Sequence, residues 1–206
     1  MTNAVTFWDR AARKYAASPI GDVPAYEKTM ERVQSHLSST DRVLEVGCGT
    51  GSTAILLAPF TAEYHGTDIS NEMTQIANEK ITADPIENLT FSVSDASLDG
   101  FETEQYDAVL AFNLYHLVPD MDRALARARR LIKPGGLFIT KTPCLARKWY
   151  LKPVIKVMQA VGKAPFVRFF SVDDYDASIR DAGFEIVETG LYPPSAPSRF
   201  VVARKV

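Results

Sequence analysis

A glycine-rich turn placed directly after a short apolar segment constrains this chain more than any other feature. Residues 43–51 read Val-Leu-Glu-Val-Gly-Cys-Gly-Thr-Gly, with glycines at positions 47, 49 and 51. Glycine permits positive φ and lets a ligand approach the backbone without an intervening Cβ. A turn of this kind between a strand and a helix points free N–H groups at a ligand above it. We therefore expect alternating strands and helices around a ligand site.

An acidic residue follows at the spacing expected for ribose binding. Asp68 ends a second predicted strand, in the sequence His-Gly-Thr-Asp-Ile-Ser, about 20 residues beyond the first glycine. A carboxylate at that point can accept hydrogen bonds from ribose hydroxyls. The turn reads G-x-G-x-G with Ser52 next, and it departs from the dinucleotide pattern G-x-G-x-x-G. Glu45 would repel a pyrophosphate at this turn and would suit a cationic ligand.

These residues resemble the first motif of the class I S-adenosylmethionine (SAM)-dependent methyltransferases. Residues 92–97, Ser-Val-Ser-Asp-Ala-Ser, resemble the third-strand motif of that family. Residues 106–117 resemble its fourth strand and the loop leading to the acceptor, and residues 131–140 resemble the helix, turn and strand that follow. The resemblance extends over residues 40–142 and continues only in outline beyond them.

The resemblance implies SAM as the cofactor and S-adenosylhomocysteine as its product. In this family the glycine turn holds the methionine part of SAM. The acid after the second strand binds the ribose, and the acid of the third-strand motif contacts the adenine amino group. The implied cofactor-binding residues are Glu45, Gly47, Cys48, Gly49, Gly51, Asp68, Ile69, Ser70, Met73, Asp95, Ala96, Asn113 and Leu114.

The implied reaction is an in-line displacement on a methyl group that SAM carries in activated form on a sulfonium. The protein would mainly align acceptor and methyl, and alignment supplies roughly 7–11 kcal/mol of barrier reduction. His116 is the candidate base if the acceptor must lose a proton, with a structural histidine as the alternative. Tyr115 is a candidate for stacking on or orienting the acceptor, whereas His36 and His65 are interpreted as structural. The sequence shows no metal-ligand spacing, so no metal is expected.

Alternating strand and helix patterns predict a parallel sheet with right-handed crossovers. We expect an α/β, Rossmann-like single domain, with a seven-stranded, mostly parallel sheet and helices on both faces. Ser70 and Asp120 are expected N-caps, and Pro134-Gly135-Gly136 is expected to end a helix and turn the chain. The predicted strands lie near residues 42–46, 64–68, 89–93, 107–112, 136–142, 184–190 and 199–205. The predicted helices lie near residues 4–17, 24–38, 52–60, 71–83, 120–132 and 173–182, and another begins at Pro153.

The chain is expected to divide into an N-terminal helical cap over residues 1–40 and a methyltransferase domain over residues 41–206. Residues 145–170 are expected to form a basic lid or acceptor insert within that domain. The segment from Phe7 to Tyr15 resembles the helix that covers SAM in small-molecule members of the family. The acceptor would enter between the N-terminal helices and the insert. The candidate substrate residues are Trp8, Tyr15, Tyr26, Lys28, Trp149 and Tyr150.

Charge is distributed very unevenly along the chain. Residues 123–168 contain 12 Lys/Arg and no acid, whereas residues 1–122 contain 7 Lys/Arg and 19 Asp/Glu. A helix beginning at Pro153 would carry apolar residues on one face and lysines on the other. It is either an amphipathic lid packed on the domain, or a surface for an anionic or lipid-like acceptor or an anionic membrane. The apolar face would carry Val154, Ile155, Met158 and Val161, and the opposite face would carry Lys152, Lys156, Gln159 and Lys163.

Composition limits the class of protein. No apolar stretch approaches the ~18 residues of a membrane span, and the N-terminus lacks the apolar core of a signal peptide. Cys48 and Cys144 show neither metal-ligand spacing nor a disulfide framework, and Cys48 fits a tight turn as a small residue. We therefore expect a cytoplasmic protein, either monomer or homodimer. The overall acidic balance argues against nucleic acid as a partner.

Three rival functions remain at this point. An NAD-dependent oxidoreductase is disfavoured by the glycine spacing, by Glu45 and by the absence of a Tyr-x-x-x-Lys pair. A nucleic-acid amino methyltransferase would carry Asn/Asp-Pro-Pro-aromatic after the fourth strand, where this chain reads Asn113-Leu-Tyr-His; Tyr192-Pro193-Pro194 is interpreted as a turn. A non-enzymatic SAM-binding module is the third. We expect methyl transfer to a small molecule that is anionic or lipid-like.

Overall fold

Seven strands form one sheet in this protein. The computed structural model describes residues 4–206, and residues 1–3 of the expected N-terminal cap lie outside that range. The strands are β1 Arg42–Val46, β2 Glu63–Asp68, β3 Leu89–Val93, β4 Tyr106–Phe112, β5 Ile132–Pro143, β6 Phe184–Leu191 and β7 Ser198–Lys205. Their order is β3-β2-β1-β4-β5-β7-β6; neighbours from β3 to β5 are parallel, and β7 runs antiparallel between β5 and β6. The predicted sheet is confirmed.

Seven α-helices connect and cover the strands. They are α1 Ala4–Ala17, α2 Val23–Gln34, α3 Ser52–Leu57, α4 Asn71–Ala83, α5 Met121–Leu131, α6 Lys152–Ala160 and α7 Val172–Asp181. Short 3₁₀ turns extend α3 and precede α5 and α6. Within residues 4–206, none of these helices has the length and apolar character needed to cross a bilayer.

Side-chain hydrogen bonds cap the N-termini of four of the helices within residues 4–206. The Ser70 and Asp120 side chains accept hydrogen bonds from backbone N–H groups three residues on, at 3.1 Å each, so both predicted N-caps are confirmed. α2 stops at Gln34, whereas the sequence predicted helix to residue 38. The Ser35 hydroxyl donates to the Arg32 carbonyl oxygen at 2.8 Å, and such local bonds compete with continued helix.

The Pro134-Gly135-Gly136 segment stays in the sheet. α5 ends at Leu131, close to the predicted position, but β5 starts at the next residue. Gly135 has φ +77°, and a Cβ on Gly136 would lie 2.6 Å from the Asp107 carbonyl oxygen. The predicted turn takes the form of a bulge within β5, because Ile132 and Leu137 pair with β4 and the register shifts between them.

Alternate residues of the central strands feed two cores, one on each face of the sheet. On one face, Leu44 and Phe138 pack with residues of α5 and α7. On the other face, Val43 and Ile139 pack with residues of α2 and α3. Because both faces are covered, the open edge formed by the carboxyl ends of the parallel strands is left for a ligand.

α1 is held against α4, close to the end of β2. The Asp9 carboxylate accepts from the Ser70 hydroxyl at 2.6 Å and from the Glu72 backbone N–H at 3.2 Å. Ala12 is buried in a small cluster with Met73 of α4. These contacts place the N-terminal helix over the loop that follows Asp68.

A buried ion pair between α7 and β7 offers a stability test. Arg199 donates to both carboxylate oxygens of Asp176, at 2.9 and 2.5 Å, and Asp176 is 7% exposed. Asp176→Asn should lower the free energy of unfolding by about 2–3 kcal/mol, because it leaves the guanidinium buried without its counter-charge. Glu31→Gln, which breaks the exposed Lys28–Glu31 pair, should cost less than about 1 kcal/mol. Urea unfolding of both variants measures the difference, and equal losses would contradict it.

Candidate active site

A cavity of about 760 Å³ opens where the carboxyl ends of the parallel strands meet. Its wall includes the last residues of β1, β2, β4 and β5: Val46, Asp68, Phe112 and Pro143. The loop after β3, residues 94–97, closes another side. This is the crevice in which open α/β sheets bind ligands. Its volume lies within the roughly 300–1,000 Å³ of small-molecule sites.

The glycine turn forms the floor of the cavity with its first two glycines. Gly47 and Gly49 line the cavity, and Gly49 has φ +55° with no side chain other than Tyr15 near the position of a Cβ. Gly51 does not line it. A Cβ on Gly51 would lie 2.6 Å from the Phe91 ring, so this glycine is required for packing. The three glycines therefore have two different roles, which the sequence pattern does not separate.

The Asp68 carboxylate lies at the centre of the site. One oxygen accepts from the Gly49 backbone N–H and the other from the Ser70 backbone N–H, both at 2.9 Å. Burial raises the pKa of Asp68, and the backbone hydrogen bonds act in the opposite direction. Asp68 lines the cavity, and each of its oxygens has the capacity to accept a further hydrogen bond. The group can thus hold the turn and a ligand hydroxyl together.

Four predicted cofactor residues lie behind the cavity wall. Gly51 is one, and Glu45, Cys48 and Ser70 are also absent from the lining, so their contact with a cofactor stays a prediction. Glu45 accepts from the Tyr64 hydroxyl at 3.0 Å, and burial raises its pKa to about 7. Cys48 is buried, and burial raises the pKa of its thiol well above the usual value, so it is the small packing residue that the turn needs. Ser70 caps α4.

The remaining predicted cofactor residues lie on the cavity wall. The Asp95 carboxylate accepts from the Ser97 backbone N–H at 2.9 Å, which orders the loop after β3. Asn113 has φ +54° and turns the chain after β4. A Cβ on Gly47 would lie 2.9 Å from Leu114, so this side chain covers the turn. The wall therefore includes Ile69, Met73, Asp95, Ala96, Asn113 and Leu114.

The two neighbouring catalytic candidates separate in the structure. His116 lines the cavity, with Nδ1 at 3.2 Å from the Thr142 hydroxyl. Burial lowers the pKa of His116 to about 4, so the ring is neutral at pH 7. Tyr115 is 1% exposed and packs against Phe138 and Tyr175 in the core. Its predicted role with the acceptor is corrected because its side chain points to the opposite side of the loop.

The candidate substrate residues also divide into two groups. Trp8 and Tyr15 of α1 line the cavity, with their rings edge to face at 6.4 Å between centroids. Tyr26 packs against the core on the α2 face, and Lys28 pairs with Glu31 at 2.8 Å. Neither lines the cavity, and the same holds for Trp149 and Tyr150, which are exposed. The structure therefore does not place these four side chains on the cavity wall.

The insert reaches the cavity through its C-terminal end, and Pro143, the last residue of β5, lies just before its start. Pro143, Pro165 and Val167 line the wall, and no periodicity in the sequence indicated them. The Arg168 backbone N–H donates to the His116 carbonyl oxygen at 2.7 Å, which ties the end of the insert to the catalytic loop. Some other lining residues that sequence reasoning missed end predicted parallel strands, and that position could have indicated them. The further lining residues are Ala4, Val46, Ser94, Ser97, Phe112, Leu117, Val118, Pro119, Asp120, Arg123 and Ala124.

The apolar face of α6 is not packed on the domain. Val154, Val157 and Val161 are exposed, whereas Ile155 and Gln159 are half-buried. The Gln159 side chain donates to the Pro165 carbonyl oxygen at 2.7 Å and faces the rest of the insert. The expectation of an amphipathic lid with its apolar side inward is therefore wrong.

Comparison with known proteins identifies the family to which this chain belongs. A family model described as a methyltransferase domain matches residues 12–189, and the chain belongs to this family. The fold and site are those of a class I SAM-dependent methyltransferase domain. The predicted family and enzyme class are confirmed.

Curated relatives include enzymes of polyketide chemistry. The 27-O-demethylrifamycin SV methyltransferase of Amycolatopsis mediterranei is 30% identical over 152 residues, which cover 72% of this chain and 56% of that protein. The squalestatin hexaketide synthase of a Phoma species is 31% identical over 173 residues, 76% of this chain. The match spans only 7% of that synthase, so the chain corresponds to one part of it.

Solved structures share the fold at low sequence identity. A SAM-dependent methyltransferase of Thermotoga maritima, described as a "possible histamine N-methyltransferase", has a TM-score of 0.73 at 22% identity, covering 99% of this chain and 100% of that one. A geranyl diphosphate methyltransferase bound to GPP and sinefungin has a TM-score of 0.73 at 15% identity, covering 87% and 78% of the chains. Similarity at these identities shows the fold alone.

Removing the Asp68 carboxylate tests the ribose contact. Asp68→Ala should weaken SAM binding at least tenfold, about 1.4 kcal/mol, because hydrogen bonds to the ligand and to Gly49 are lost. Titration calorimetry measures the affinity. Asp99→Ala, which removes an exposed acid outside the cavity, is the control and should bind SAM like the wild type. Unchanged affinity for Asp68→Ala would exclude Asp68 from the site.

The two roles of the glycines can be separated by a matched pair of variants. Gly51→Ala should lower the melting temperature markedly, because its methyl group would collide with Phe91 and Ala77. Gly49→Ala has free space around its methyl group, so it should cost only the ~1–2 kcal/mol of a left-handed alanine while blocking the cavity floor. Thermal melts and SAM titrations check both. Equal stability losses with equal SAM affinities would contradict the assignment.

Proposed function

We propose that the protein transfers the methyl group of SAM to a largely apolar small-molecule acceptor and releases S-adenosylhomocysteine. The observation that carries this proposal is the division of the cavity wall. One part consists of the glycine turn, Asp68 and Asp95. The part contributed by α1, by the end of β5 and by the insert is apolar or aromatic: Ala4, Trp8, Tyr15, Pro143, Pro165 and Val167.

The polar part of the wall fits SAM. The Gly47 and Gly49 backbone would hold the methionine part, and Asp68 the ribose hydroxyls. Asp95 would accept from the adenine amino group, and apolar residues such as Met73 would flank the ring. The acids on the wall outnumber the single Arg123 among the described residues, so the field suits a cationic ligand. SAM supplies an activated methyl group on its sulfonium.

The apolar part of the wall favours a lipid-like acceptor over an anionic one. Five basic residues of the insert, Arg147, Lys148, Lys152, Lys156 and Lys163, do not line the cavity. An anionic group in the cavity would find only Arg123 among the lining residues that the structure describes. An apolar acceptor would instead exclude water from the methyl group and be aligned by the surrounding rings.

His116 is proposed to contact the acceptor. Its ring is held by the Thr142 hydroxyl and is neutral near pH 7, so it can accept a hydrogen bond or a proton from an acceptor hydroxyl or amine. A pKa of about 4 makes it a weak base. Its contribution is therefore greatest for an acceptor whose proton becomes acidic as the methyl group is transferred.

The role of His116 has a distinct pH signature. His116→Gln should lower kcat about tenfold or more and leave the KM for SAM within about twofold, because a positioned base typically contributes ~10²–10⁴-fold and one with a lowered pKa contributes less. Since the pKa of His116 is lowered to about 4, the wild-type rate should not change between pH 6 and 8 through this group. His65→Gln, a histidine outside the cavity, is the control. An inflection near pH 6.5 that disappears in His116→Gln would contradict the lowered pKa.

The overall proposal is tested by ligand binding followed by turnover. Calorimetry should show micromolar binding of SAM and S-adenosylhomocysteine and none of NAD. An acceptor screen with radiolabelled SAM would then compare apolar hydroxyl and amine compounds with their phosphorylated analogues. 27-O-demethylrifamycin SV belongs in it because a relative at 30% identity is named as its methyltransferase. NAD binding alone would favour an oxidoreductase, and SAM binding without any turnover would favour a non-enzymatic SAM-binding module.

A further inference from the structure

The insert presents a continuous apolar surface to solvent. Trp149, Val157 and Val161 have exposed fractions of 68%, 66% and 62%. On α6, positions 154, 157, 158 and 161 fall on one face at 100° per residue. None of the α6 residues is buried. We call this the insert surface; its apolar residues are Trp149, Tyr150, Val154, Val157, Met158 and Val161.

The charged residues in the segment that carries the insert surface are all basic. Residues 143–168 contain six basic residues and no acid. Lys152 lies over the Phe169 ring at 5.3 Å, whereas Arg147, Lys148, Lys156 and Lys163 are exposed. None of these four forms an ion pair within residues 4–206. Apolar side chains and free cations therefore occur together on one side of a molecule that is otherwise acidic.

We propose that the insert surface docks on an anionic lipid bilayer, with α6 lying in the plane of the interface. Helices of this kind combine a basic polar face with an apolar face that enters the headgroup region. Trp and Tyr side chains are enriched at that depth, and lysines bind anionic headgroups. The four exposed cations without ion-pair partners beside these apolar side chains match the negative charge of such a bilayer.

Docking in this way would bring the cavity close to the bilayer. Pro165 and Val167, near the C-terminal end of the insert, line the cavity, as does Pro143 just before its start. The contact of Arg168 with the His116 carbonyl oxygen fixes the C-terminal end. An apolar acceptor dissolved in the bilayer could then enter beside the insert. This last step rests on the proposed function, whereas bilayer binding itself does not.

Co-sedimentation with vesicles tests the proposal without any activity measurement. The full chain should pellet with vesicles containing 30 mol% phosphatidylglycerol in phosphatidylcholine, and at least tenfold less with phosphatidylcholine alone. The triple variant Lys148→Glu, Lys156→Glu, Lys163→Glu should lose binding at least tenfold, and so should Val157→Asp with Val161→Asp. The charge-matched control Lys14→Glu, Arg130→Glu, Arg180→Glu changes exposed bases elsewhere and should bind like the wild type. SAM titration of every variant confirms a folded protein.

Several outcomes would overturn the proposal. Absence of wild-type binding, equal binding to neutral vesicles, or equal loss in the control triple would each do so. Sedimentation velocity tests whether a second copy of the chain, rather than a bilayer, covers the insert surface. If the wild type is a dimer that Val157→Asp with Val161→Asp converts to a monomer, the insert surface is a contact between copies. Vesicle binding with no turnover of an apolar acceptor would reject the acceptor proposal and leave the docking surface in place.

Discussion

The hydrogen bonds of the Asp68 carboxylate hold the site together. One oxygen fixes the glycine turn through the Gly49 N–H, and the other fixes the start of α4 through the Ser70 N–H. The Ser70 hydroxyl caps α4 and donates to Asp9 of α1. A single acid at the end of β2 thus joins the loop after β1, the helix after β2 and the N-terminal helix. The cavity depends on this connection because these three elements form its floor and one wall.

The parallel sheet supplies the other constraint. Since β1 to β5 run in one direction, their carboxyl ends deliver Val46, Asp68, Phe112 and Pro143 to the same edge. Burial at that edge also sets the protonation of the groups it holds. The pKa of His116 falls to about 4 and that of Glu45 rises to about 7, in both cases chiefly through desolvation. The fold therefore determines which groups are charged as well as where they lie.

Sequence reasoning succeeded where a local pattern has one structural solution. Ser70 and Asp120 begin helices, Asp68 ends β2, and the alternation of strands and helices gives the sheet. Sequence reasoning failed where one sequence pattern is compatible with two structural roles. Three glycines at alternate positions look equivalent, yet Gly51 serves the Phe91 contact rather than a ligand. Tyr115 and His116 are adjacent, and a one-residue step in a tight turn sends one into the core and the other to the cavity.

The sequence by itself determined the fold class, the SAM-type turn and the acids around it, because spacing along strands and helices is a local property. Only the tertiary structure decided which residues reach the cavity. Tyr26 and Lys28 share the N-terminal region with Trp8, but packing of α2 on the sheet turns them away. The same holds for α6, whose periodicity predicted an apolar face without stating its direction. That direction depends on the contacts of distant segments, such as Gln159 with Pro165 and Arg168 with His116.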